Sequence, residues 1–327
     1  MSTSITITLP SPSNDQSYMT VSALEGGHLD LPVSHFLEGV PNDERNAVPV
    51  LAFFMIHSKT GTKIVFDSGI KKDIENLAPA ARQYINDHLS VRVDQDVSES
   101  LLIGGVNPSD ISHVIFSHLH WDQLRFFLPF PSTCFVDTQL LYSVGDASWF
   151  PNATFIIGGG SRKLLQDPYP QNPDSAFPSD CVPKDPGRTR FLDDPDFSET
   201  IGGFPRACDL FNDGSLYVID AHGHLDGHIN VLARTSPTGG WILLGGDTCH
   251  DHRLFEDGAK ISCERNEKGE VTMYAHSDFY AAEIHLERVR RLRKMEGVDV
   301  LVAHDSVWYN IHKGGESFLP GHISPRA

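Results

Sequence analysis

His118-Leu119-His120-Trp121-Asp122-Gln123 follows directly on Val114-Ile115-Phe116, and these two stretches together decide the fold. The apolar run is too short for a helix and predicts a buried strand. Two imidazoles and a carboxylate therefore stand at a strand exit, where a sheet edge presents side chains to a cleft. A single His-x-His is a weak signal, because solvated loop histidines are common. Recurrence gives it weight. Gly223-His224-Leu225-Asp226-Gly227-His228, Gly245-Gly246-Asp247 and Val302-Ala303-His304 each also follow an apolar stretch. Together they supply the imidazoles and carboxylates that zinc-like ions take.

Working outward, Val48 to Ile56 and Thr62 to Phe66 read as a hairpin around Ser58-Lys59-Thr60-Gly61, ending at Asp67-Ser68-Gly69. Residues 73–89 predict a helix, and Gln139 to Val144 a short one. Strands are expected at Leu216 to Ile219, Ile229 to Ala233, Trp241 to Leu244 and Val298 to Ala303, the last delivering His304. A helix capped by Ser277 runs to about Met295, with Ala282, Leu286, Val289 and Leu292 on one face. Strands alternate with helices, and each candidate ligand follows a strand. The pattern is a layered α/β fold with one site at the sheet edge. Residues 1–47 start polar and end in a turn-rich entry.

Between 150 and 211 the character changes. Nine of the 21 prolines lie from Pro151 to Pro205, interleaved with Phe155, Tyr169, Phe177, Phe191, Phe197 and Phe204. The stretch reads as an insert, and a loop this long serves as a lid or binding loop or is a passive surface insertion. Its aromatic content favours a pocket wall. The whole chain, 1–327, is expected to form a single domain around this insert.

Composition excludes several function classes. A formal net charge of −17 over 327 residues argues against binding a nucleic-acid backbone. The only basic run, Arg288 to Lys294, has helical spacing and reads as a solvated helix face. No apolar run approaches membrane-spanning length, so no membrane partner is expected. Met1 to Gly27 has neither a basic nor an apolar signal region. Five scattered cysteines (Cys134, Cys181, Cys208, Cys249 and Cys263) form no C-x-x-C pair, which predicts a reduced, cytoplasmic protein without a cysteine-rich zinc site.

The ordered motifs resemble the metallo-β-lactamase superfamily, most closely its lactonase-like (N-acyl-homoserine lactonase-like) branch, from about Val48 to Asp305. The resemblance implies a four-layer αβ/βα sandwich with metals at the edge between the sheets. It also implies that His118, His120 and His224 bind a first ion, that Asp247 bridges, and that Asp122 and His304 serve a second. Asp67 would support the site through hydrogen bonds from behind. His228 would be structural at its turn, and His222 a solvated neighbour. Gln123 stands where the family has another metal-binding histidine. An amide oxygen is a poorer ligand than an imidazole nitrogen, so the second ion should bind weakly, adopt unusual coordination or be absent. Gln123 is either a functional variant or an inactivating change. His250 occupies a place where lactonases often carry a tyrosine that assists the substrate carbonyl.

The expected cofactor is zinc, as one or two ions, with iron or manganese as alternatives. The expected activity is hydrolysis of a small cyclic ester or cyclic amide by metal-bound hydroxide, with Asp122 or His250 moving a proton to the leaving group. Three alternatives stand beside it. A thioesterase of the glyoxalase-II type would use the same site on an open-chain thioester. A mononuclear iron oxygenase would suit a weakened second site. A catalytically silent binding protein would keep only the fold.

Overall fold

Leu51, Phe53 and Met55 alternate along one strand with Ala52 and Phe54, and the two sets enter different cores. This period of two sets the layering of the molecule. The computed structural model describes residues 7–119, 146–175, 177–265, 269 and 271–326. His120, Trp121, Asp122, Gln123, Phe126, Phe127, Phe130, Cys134 and the short helix expected at Gln139 to Val144 lie outside these residues.

The first sheet contains β1 (Met19–Pro32), β2 (Arg45–His57), β3 (Lys63–Phe66), β4 (Val91–Arg92), β5 (His113–Ile115), β6 (Thr154–Gly158) and β7 (Thr189–Leu192), in the order β4-β1-β2-β3-β5-β6-β7. The second contains β8 (Glu199–Ile201), β9 (Phe204–Asp209), β10 (Leu216–Asp220), β11 (Ile229–Arg234) and β12 (Trp241–Leu244). A small hairpin, β13 (Cys263–Arg265) and β14 (Val271–Tyr274), follows, and β15 (Val298–Leu301) completes the second sheet beside β12.

Between the sheets, Phe53, Met55, Ile64 and Phe66 meet Val218, Val231, Ile242 and Leu244. The outer face of the first sheet is covered by α2 (Val97–Ile103), which inserts Val97 and Leu101 beside Phe54 and Val65. Ala282, Leu286, Val289 and Leu292 of α3 (Phe279–Arg293) cover the outer face of the second. The result is the four-layer αβ/βα sandwich. Two further helices, α1 (Pro79–His88) and α4 (Ser306–His312), lie between strands and after β15.

Several boundaries differ from the sequence expectation for identifiable reasons. The helix expected over 73–89 begins only at Pro79, whose fixed φ suits the first helical position, and a 3-10 turn at Ile74–Asn76 precedes it. Asp278, not Ser277, caps α3, accepting the Ala281 N–H at 2.9 Å. Residues 19–32 form the long strand β1, which the polar start concealed. The proline-rich stretch is not one long loop, since it supplies β6 and β7 to the first sheet and β8 and β9 to the second. Gly158, Leu192, Phe197 and Arg206 from this stretch line a cavity of about 730 Å³ with Asp220, His222 and Asp226. The basic run on α3 is only partly solvated. Arg290 is buried and donates to the Leu254 and Ala259 carbonyls, each at 2.7 Å.

The topology places the site. β3, β5 and β6 run parallel, so their carboxyl ends share one edge, and β12 runs parallel to β15 in the facing sheet. Asp67 and His118 follow β3 and β5, while Asp247 and His304 follow β12 and β15. Carboxyl ends of parallel strands are where open α/β sheets place ligands.

Candidate metal centre

Asp67 leaves β3 in the left-handed region, with φ of 60°. This turns its carboxylate back across the sheet edge, where Oδ1 accepts the Ser117 N–H at 2.7 Å. The bond fixes the exit of β5 immediately before His118. Burial pushes the Asp67 carboxyl up to about 8. On the facing sheet, Gly246 has φ of 50°, and a Cβ there would stand 2.7 Å from the Ser117 Cβ. Only glycine lets the turn before Asp247 approach β5 this closely.

His118, His224, His250 and His304 converge on Asp247, and all five residues are buried. Asp247 Oδ2 lies 3.6 Å from His118 Nε2, 3.6 Å from His224 Nε2 and 3.1 Å from His250 Nε2. Its Oδ1 lies 3.5 Å from His304 Nε2. Burial alone would raise the Asp247 carboxyl, but the fields of His304, His250 and His118 hold it well below the usual carboxylate range.

These spacings fit a divalent ion. Ligand atoms 2.0–2.1 Å from a tetrahedral zinc stand roughly 3.3 Å from one another. Separations of 3.5–3.6 Å are long for a hydrogen bond but close to such a tetrahedral edge. Among the described residues the donor atoms fall into two groups sharing Asp247: His118 with His224, and His250 with His304.

Outer hydrogen bonds orient the rings so that Nε2 faces the carboxylate. His304 Nδ1 donates to the Pro49 carbonyl at 2.9 Å, and His118 Nδ1 meets the Ser117 hydroxyl at 2.7 Å. The Nδ1 proton of His304 is so engaged, which leaves its Nε2 facing the centre, and the Ser117 contact fixes the orientation of the His118 ring. His224 Nδ1 and His276 Nδ1 share a proton at 3.2 Å. His276, two residues beyond β14, was not singled out from the sequence. Nor was Phe36, whose ring stacks on His250 at 4.2 Å and 17°. His228 is buried 5.1 Å from the His118 ring, with Nδ1 3.1 Å from the Ala221 carbonyl. His222 is turned outward and pairs with Asp220 at 2.9 Å. Cys249 is a buried free thiol.

Two facing sheets flanked by helices, with a histidine–aspartate cluster that could hold a metal ion at their shared edge, define the class as an α/β sandwich with a candidate metal site. No family model matches the chain. Cytochrome P450 monooxygenase mpaDE of Penicillium brevicompactum is 28% identical over 321 residues, covering 91% of this chain and 34% of that protein, so the chain spans about a third of that relative's length. Gamma-lactamase MBL2 of Gibberella moniliformis is 32% identical over 194 residues, covering 57% of this chain and 70% of that protein. A solved N-acyl homoserine lactone hydrolase, with the product N-hexanoyl-L-homoserine at its catalytic metal center, matches with a TM-score of 0.61 at 14% identity. That match covers 94% of this chain and 100% of the other. The chain belongs to the metallo-β-lactamase superfamily.

Proposed function

We propose that the protein is a metal-dependent hydrolase that opens a small cyclic ester or cyclic amide. The observation that carries this reading is the convergence of four buried imidazoles on the Asp247 carboxylate. A bound ion of the zinc type supplies water ionised near neutral pH and polarises the substrate carbonyl. His118, His120 and His224 would hold one ion, Asp247 would lie between two, and Asp122 and His304 would serve the other. The Pro49 carbonyl holds the His304 ring with Nε2 aimed inward, and Asp67 keeps the His118 turn in place. His228 buttresses the His118 ring from the Gly227 turn. Asp122 is the group we assign to pass a proton to the leaving oxygen or nitrogen, so that ring cleavage does not expel a strong base.

The substrate class is narrowed by two names. A gamma-lactam and a homoserine lactone are both five-membered rings with one carbonyl, and the proteins so named resemble this chain. The reading therefore extends to five-membered lactones and lactams, with zinc as the ion. A cytoplasmic location belongs to the same reading, supported by the free thiols of Cys181, Cys208, Cys249 and Cys263. Among the described residues no helix is long and apolar enough to cross a membrane.

The test is a hydrolysis screen of the zinc-loaded chain over γ-lactones, γ-lactams, open-chain esters and thioesters, with oxygen uptake followed in parallel. Ring opening that His118→Ala abolishes, with its circular dichroism unchanged, supports the reading. Turnover of thioesters alone, oxygen consumption, or no turnover of any class overturns it.

A further inference from the structure

His250 lies three residues beyond Asp247, in the turn that leaves β12, yet its ring faces inward rather than toward open solvent. Its Nε2 stands 3.1 Å from Asp247 Oδ2, and its ring stacks against that of His304 at 5.4 Å and 25°. Phe36 covers the opposite face, so the ring plane is clamped between two aromatic neighbours. Donor atoms of Asp247, His250 and His304 all lie within 4.8 Å of one another, a cluster separate from that of His118 and His224 except for the shared carboxylate.

We propose that His250 is a metal ligand, completing with Asp247 and His304 a second cation site. The inference rests on reading the Asp247 cluster as a metal centre. Two imidazoles and a carboxylate form a donor set for a divalent transition ion, and neutral imidazole is the ligand such ions take most readily from protein. At position 123 the sequence supplies an amide, a weaker donor. The imidazole that the site needs comes instead from the turn after β12. Its consequence is a second ion held more tightly than Gln123 alone would allow, with one coordinating ring fixed by stacking on Phe36. His250 then has its Nε2 lone pair engaged at the ion and is not the donor to the substrate carbonyl.

The experiment measures metal content of the full chain, stripped with chelator and dialysed against zinc, in the unmodified protein, His118→Ala, His250→Ala and His250→Gln. Cobalt replacement adds a visible ligand-field spectrum. Glutamine at 250 keeps an N–H that reaches a carboxylate, so it preserves a purely hydrogen-bonding role while removing the imidazole. The expected result is two equivalents in the unmodified chain and a loss close to one equivalent, or at least a tenfold weaker second affinity, in both His250 variants. The cobalt spectrum of His250→Gln should change, whereas His118→Ala should weaken the other ion. If His250→Ala fails to fold, His250→Gln decides. Two equivalents held with unchanged affinity and spectrum in His250→Gln would overturn the assignment and leave the metal-centre reading intact. So would a single equivalent in the unmodified chain that neither His250 variant disturbs. Absence of bound metal from the unmodified chain would overturn both.

Discussion

His285 Nε2 lies 2.7 Å from the Asn230 side-chain oxygen, and this contact ties α3 to the turn that carries Asp247. Asn230 Nδ2 donates to the Gly245 carbonyl at 2.8 Å, so its oxygen is the end facing His285, and the His285 Nε2 must carry the proton. Thr248 Oγ1 closes the network, donating to the same Gly245 carbonyl at 2.7 Å. The network lies behind the centre and holds the Gly245-Gly246-Asp247 turn in register with β11.

Burial lowers the His285 imidazole to about 3, so the folded protein keeps it neutral while the unfolded chain protonates it near 6.5. Stability from this group is fully present above the unfolded value and is lost as pH falls toward 3, because the unfolded state then binds one more proton. The slope is about 1.4 kcal/mol per pH unit across that window. Urea unfolding of His285→Gln should show a correspondingly flatter pH dependence between 6.5 and 3. Parallel curves for the two proteins would remove His285 from the account.

Gly246→Ala should be among the most damaging single-methyl additions in the chain. The residue has φ of 50°, and its Cβ would meet Ser117. Positive-φ strain together with overpacking should cost about 2–4 kcal/mol. Calorimetry should show the lowered transition, and zinc affinity should fall because Asp247 is displaced from its four histidines. A variant with unchanged transition and affinity would mean that the turn is free to move.

Asp67→Asn and Asp67→Ala should separate sharply. The carboxyl is pushed up to about 8, so near neutral pH its protonated form already resembles an amide, and asparagine keeps an oxygen for the Ser117 N–H. Alanine leaves that buried amide unpaired, at a cost of about 1–3 kcal/mol. Denaturant midpoints should rank Asn close to the unmodified chain and Ala well below it. Equal losses in both variants would contradict a role confined to accepting this hydrogen bond.

Strand ends were the legible part of the sequence. Val114-Ile115-Phe116 and Trp241 to Leu244 are fully apolar, and Val298 to Ala303 is so but for Asp299, because both faces of their sheets are covered, and the polar residues that follow stand out. His118, Asp247 and His304 were visible for that reason. β1 was hidden because its pairing with β2 shifts register between Glu25 and His28, at Gly26-Gly27, which breaks the alternation that marks a strand. Phe36 and His276 reach the centre only through tertiary approach, and His285 sits on the buried face of α3, where helical spacing marks burial but not the Asn230 partner. Arg290 misled for a related cause. Its helical spacing is ordinary, but the 254–259 segment folds over it and takes its guanidinium.

The most direct measurement of the central claim is a zinc titration of the metal-free, unmodified chain, with ring opening of a γ-lactone and a γ-lactam followed at each added equivalent. The account predicts no turnover without metal, a rise in rate that tracks zinc bound, and full loss on return to chelator. Ring opening that proceeds equally in the stripped protein, or zinc that binds at the Asp247 cluster without any hydrolysis of either ring, would contradict it.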